Sequence, residues 1–115
     1  MKGNICMFYL KKKIEIAGSH RLDLDYDSPC KNTHGHNWLI TVYCKSEKLN
    51  ENGMVVDFKT IKELIHNKLD HKNLNEVLGF NPTAENIAVW VVKTVPFCYK
   101  AKVIESKNNE VIYEL

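Results

Sequence analysis

Residues His34 to Cys44 read HGHNWLITVYC. In an extended chain successive side chains point to opposite sides, so His34, His36, Trp38, Ile40, Val42 and Cys44 share one face. Asn37, Thr41 and Tyr43 take the other. This alternation predicts a strand with one face against a core and two imidazoles at its upstream end. The stretch Ile5 to Ser19 predicts a second strand, with Ile14, Ile16 and Gly18 on one face and His20 just beyond on the same face. Residues 21–33 hold carboxylates, a Pro and a Ser, and read as the loop between the strands.

Downstream the period changes. Asn50 to Gly53 is a turn, and Asp57 is placed to cap a helix carrying Phe58, Ile61, Leu64, Ile65 and Leu69, which Asp70-His71 closes. In NPTAEN (81–86), Thr83 is the expected N-cap of a second helix, with Glu85 near the positive end of its dipole and Pro96 as its stop. Alternation returns from Tyr99, with Ala101, Val103 and Glu105 in step, a turn at KNNE (107–110) and a returning strand. The order β-β-α-α-β-β predicts an α+β fold, an antiparallel sheet with two helices on one face, in a single domain over 1–115.

Composition excludes several function classes. The formal net charge is +2, and the one basic run, Lys11 to Lys13, is cut off by Ile14-Glu15-Ile16, so it predicts a solvated strand edge and no nucleic-acid partner. No window supplies the ~20 apolar residues of a membrane span, and ICMFYL (5–10) is too short for a signal-peptide core, so a cytoplasmic protein without a membrane partner is expected. The four cysteines show no C-x-x-C pair. Cys6, Cys44 and Cys98 sit in or beside apolar runs and read as small buried hydrophobes, whereas Cys30 lies in a polar loop.

A His-x-His pair alone does not make a metal site. On a strand, however, His34 and His36 project from one face about 6–7 Å apart, and His20 ends the preceding strand. If the strands pair as a hairpin, three neutral imidazoles converge and leave a fourth position open, the arrangement of a catalytic zinc site. Zinc is expected over iron because the pattern offers no carboxylate to complete a facial triad. Cys30, upstream of two of these ligands, is either an incidental loop cysteine or a thiol acidified by the neighbouring ion. Asp70-His71 is either a helix cap or a carboxylate that orients an imidazole. His66 reads as a solvated helix residue. Glu105 is the carboxylate of the alternating run AKVIES (101–106), and a flat heterocycle with two adjacent N–H donors suits its two oxygens.

Together CKNTHGHNW (30–38), GMVVDF (53–58), LDHKNLN (69–75), NPTAEN (81–86) and VIES (103–106) resemble, in order and spacing, the 6-pyruvoyltetrahydropterin synthase family, whose bacterial branch includes the 6-carboxytetrahydropterin synthases of queuosine biosynthesis. The resemblance implies the tunnelling fold, in which such units form a trimeric barrel and two trimers stack as a homohexamer with sites at subunit interfaces. It implies His20, His34 and His36 as Zn2+ ligands, Cys30 as the catalytic thiol with Asp70 and His71 as its proton-handling partners, and Glu105 as the anchor of the pterin ring. The implied activity is a zinc-dependent lyase acting on the small-molecule substrate 7,8-dihydroneopterin triphosphate, with a 6-carboxy- or a 6-pyruvoyl-tetrahydropterin product. Ile16, Gly18, Trp38 and Ser106 depart from the family's usual residues without removing a functional group. A reading from another class is a non-catalytic, zinc-stabilised module that binds purine-like or pterin ligands.

Overall fold

The computed structural model describes residues 6–115. Two long antiparallel strands, β1 (Phe8–His20) and β2 (His34–Ser46), are followed by helix α1 (Phe58–Leu69), a two-residue strand β3 (Lys72–Asn73), a single helical turn α2 (Leu74–Val77), helix α3 (Ala84–Thr94), and the hairpin β4 (Cys98–Ser106) and β5 (Asn109–Glu114). The sheet order is β3-β1-β2-β4-β5. The expected strand start at Ile5 lies outside the described residues.

The period-2 pattern is what the sheet uses. Ile14, Ile16, Trp38, Ile40, Val42, Ala101 and Val103 form one buried face, against which α1 lays Ile61, Ile65 and Leu69 and α3 lays Ile87, Ala88 and Val91. Burying each large apolar side chain contributes roughly 1.5–3 kcal/mol. Both helices therefore lie on one face, α1 against β1 and α3 against β4 and β5. Their starts are capped as expected: Asp57 Oδ1 accepts the Lys59 N–H (2.8 Å) and Thr83 Oγ1 accepts the Asn86 N–H (3.1 Å). At the predicted turn Gly53 adopts φ +80°, a conformation costly for residues with a Cβ.

Four details differ from the sequence expectation. The sheet is mixed, because β3 pairs in parallel with Gly18 and Ser19. A two-residue strand and a one-turn helix are too short to show a period. The 21–33 loop contains a 3-10 turn at Pro29–Lys31, and its start is clasped by Asn75 and Asn81, which bond the backbone of Arg21 and Asp23 as a neighbouring strand would. Cys6 is exposed, since it precedes β1, whereas Cys44 and Cys98 are buried. Lys11 and Lys13 are exposed as expected for a solvated edge.

Candidate metal centre and the groups around it

The β1–β2 register sets His20 directly opposite His34, and Gly18 opposite His36. All three imidazoles thus meet at the loop end of the hairpin, with ring centroids 4.6–5.2 Å apart and one nitrogen from each within 4.8 Å of the others. Trp38 forms the floor. It is fully buried, stands edge-on to His20 and His36, and donates its indole N–H to the Gly18 carbonyl (3.0 Å). Gly18 also leaves room for Leu74 of α2, because a Cβ there would lie 3.2 Å from the Leu74 side chain.

Two of the rings are oriented from behind. His20 Nδ1 lies 2.8 Å from the Pro82 carbonyl and His34 Nδ1 lies 2.7 Å from the Asn32 carbonyl. A carbonyl only accepts, so Nδ1 carries the proton in both and Nε2 presents a lone pair, the usual arrangement behind a metal-bound histidine. Nε2 of His20 and Nε2 of His36 are buried with no hydrogen-bond partner, a costly state for nitrogen unless a cation receives the lone pair. Burial is the largest influence on His20 and lowers its pKa, favouring the neutral ring that a ligand must have. The three histidines can hold a metal ion.

Glu105 joins them. Its Oε1 lies 3.5 Å from His36 Nε2 and its Oε2 lies 4.0 Å from His20 Nε2. The sequence pattern gave no carboxylate near the histidines, and that premise is corrected: β4 brings one across the sheet. The β4–β5 register runs Ile104 with Glu110, then Ser106 with Asn109, so Glu105 is the extra residue of a β-bulge. Bulges re-aim a side chain in this way, and none is visible in AKVIES as a string.

Asp70 and His71 form a second constellation. Asp70 caps the C-terminus of α1 in extended conformation and His71 follows at φ 58°, so the two side chains meet as adjacent helical residues cannot. Asp70 Oδ2 lies 2.9 Å from His71 Nδ1, and Oδ1 accepts the Ala17 N–H at 2.9 Å. The Ala17 amide, followed by His71 and His66, holds the Asp70 carboxyl below its ordinary pKa. His66 was expected to be solvated; its Nε2 is 3.4 Å from Asp70 Oδ2. The i,i+4 spacing of His66 and Asp70 was the available signal.

His36 and His71 line one open cleft of about 480 Å³, with Gly18, Gly35 and Asn73 among its other walls. Cys30 is not among them. It sits on the 3-10 turn, its N–H bonded to Ser28 Oγ (3.2 Å) and its carbonyl accepting the Leu22 N–H (2.8 Å). Among the described residues no hydrogen bond joins its thiol to Asp70 or His71. The structure therefore brings together His20, His34, His36 and Glu105, separately pairs Asp70 with His71, and leaves Cys30 on the adjoining loop.

The family model described as "6-pyruvoyl tetrahydropterin synthase" matches residues 9–115. The chain belongs to this family. A 6-carboxy-5,6,7,8-tetrahydropterin synthase from Synechocystis is 32% identical over 121 residues, covering 93% of each chain. The human 6-pyruvoyl tetrahydrobiopterin synthase is 32% identical over 137 residues, covering 97% of this chain and 94% of the relative. Among solved structures, the Caenorhabditis elegans 6-pyruvoyl tetrahydropterin synthase superposes with a TM-score of 0.76 at 23% identity, over 98% of this chain and 99% of that one. The fold is thus that of the family, as the motifs implied. Among the described residues no helix is long and apolar enough to cross a membrane.

Proposed function

We propose that this chain is a zinc-dependent lyase acting on 7,8-dihydroneopterin triphosphate, and specifically a 6-carboxy-5,6,7,8-tetrahydropterin synthase that consumes one water and releases triphosphate and acetaldehyde. The observation that carries the reading is the cluster of three histidines, two of them with buried, unpartnered Nε2 atoms, in a chain that matches this family almost end to end.

His20, His34 and His36 would hold zinc, which three neutral imidazoles suit. When bound, zinc supplies Lewis acidity to the substrate's side-chain hydroxyls. Cys30 is the base that removes a proton from the substrate side chain. His71 returns one, with its ring fixed by Asp70 through the 2.9 Å contact at Nδ1; each positioned group contributes about 10²–10⁴-fold. Glu105 accepts the paired N–H donors of the pterin ring. The separation of Cys30 from the Asp70–His71 pair supports a site completed by a neighbouring copy. So do the two unpaired sheet edges, β5 and most of β1, which pairing between copies would remove. Closed trimeric barrels, two per homohexamer, are the assembly we propose.

Incubation of the pure, zinc-loaded protein with dihydroneopterin triphosphate, followed by mass spectrometry, tests the activity. A 6-carboxypterin with acetaldehyde is the expected result. A pyruvoyl product without acetaldehyde assigns the 6-pyruvoyltetrahydropterin synthase reaction instead, and inert metal-loaded protein overturns both. In Cys30→Ala, turnover should fall by about 10²-fold or more with zinc content retained; unchanged turnover removes Cys30 from the chemistry.

A further inference from the structure

We propose that Glu105 is a fourth, exchangeable ligand of the metal ion, bound to it when the site is free of substrate and displaced from it when a ligand enters. The inference rests on the reading that His20, His34 and His36 hold a metal, and gives Glu105 a role besides receiving the pterin ring.

The distances carry it. With ligands ~2.0–2.1 Å from a tetrahedral zinc, neighbouring donor atoms stand about 3.3–3.4 Å apart. Glu105 Oε1 is 3.5 Å from His36 Nε2 and Oε2 is 4.0 Å from His20 Nε2. The carboxylate therefore already stands beside two of the three imidazole nitrogens, at 3.5 Å from one close to the spacing of neighbouring ligand atoms. It has no other engagement: among the described residues no cation and no hydrogen-bond donor besides these two rings approaches it. A partly buried carboxylate left so is unfavourable. A neutral three-histidine set leaves the full charge of a divalent ion uncompensated, and one carboxylate halves it.

The backbone explains both reach and release. Glu105 is the extra residue of the β4–β5 bulge and lies one position beyond the last β2–β4 pair, Leu39 with Ile104. Its side chain is 25% exposed, whereas that of His20 is fully buried. It thus reaches the histidines from a partly exposed position, and it can swing away without disturbing them. A heterocycle with paired N–H donors competes for the same two oxygens, so binding it frees the fourth position for the substrate's own oxygens.

The test uses the full chain loaded with cobalt(II) or zinc alone. Chelator competition should show zinc bound at least about tenfold more weakly by Glu105→Gln than by wild type. The visible d–d spectrum of the cobalt form should differ between the two, and only Glu105→Gln should gain a pH-dependent spectral change from a metal-bound water. Adding a pterin without phosphates should shift the wild-type cobalt spectrum toward that of the variant. Equal affinities and superimposable spectra would overturn the proposal while leaving the three-histidine site and the lyase reading intact. A spectrum unmoved by saturating pterin would overturn the exchange. Failure of wild type to take up either metal would overturn the metal reading beneath it. Glu105→Gln keeps the side chain's volume, and its unfolding transition in the metal-free state shows whether it is folded.

Discussion

Asp70 spends each of its oxygens differently, one on the Ala17 amide and the other on the His71 and His66 rings. The depressed pKa makes this a pH-dependent contribution. Because the folded value lies below the unfolded one, the stabilisation is fully present above the ordinary carboxylate range and is lost as pH falls through the folded value. Acid melting of wild type against Asp70→Asn should therefore show a gap in Tm that is full above the ordinary carboxylate range and closes as pH falls through the lowered folded value. The pairing with His66 leads to a second expectation. His66→Ala should shift the pH profile of kcat while leaving metal content unchanged, because it removes one of two imidazoles from the carboxylate that orients His71. An unshifted profile would reduce His66 to a surface residue. The clustering of His34 with His36 was legible because residues at i and i+2 on a strand must share a face. The Asp70–Ala17 bond was not, since it joins residues 53 apart in sequence.

At the scale of elements, close packing of β1 on α2 makes Gly18 sensitive. Gly18→Ala would press a methyl group against the fully buried Leu74 and should cost about 1–3 kcal/mol in urea unfolding. Adding Leu74→Ala should cost less than the sum of the two single changes, and strict additivity would mean that the two do not meet. The cap of α3 also reaches the histidine cluster, because Thr83 follows the residue whose carbonyl receives the His20 Nδ1–H. Thr83→Ala should lose about 1 kcal/mol of stability and weaken metal binding by roughly tenfold; the first loss without the second would separate the cap from the site. Both caps were readable from Asp57 and Thr83, because side-chain acceptors before an apolar period are local signals. β3, α2 and the bulge at Glu105 were not. β3 is set by pairing with Gly18 and Ser19 far upstream, α2 is a single turn too short to show a period, and the bulge lies in a hairpin whose alternation carries no mark of it.

The whole molecule carries its site at one end of the sheet, between the loop end of the longest hairpin and the C-terminal end of β4. Ligand-linked stability should follow: a free ion at 100 times its Kd adds about 2.7 kcal/mol to the unfolding free energy, and a chelator should remove that increment while His34→Ala should abolish it. Equal Tm with and without zinc would mean that no ion binds the native chain. One further consequence comes from the pairing of His20 with His34. A strand that slips by one residue turns every side chain to the opposite face. Slippage of β1 against β2 would carry His20 away from His34 and His36 and abolish the coordination set. An ion held by all three is therefore a proofreading device for strand alignment, accepting one alignment of the hairpin and penalising its neighbours. Hydrogen exchange should record this as slower opening at residues 18–20 and 34–36 in the metal-loaded chain, with little change at the far end near Phe8 and Ser46.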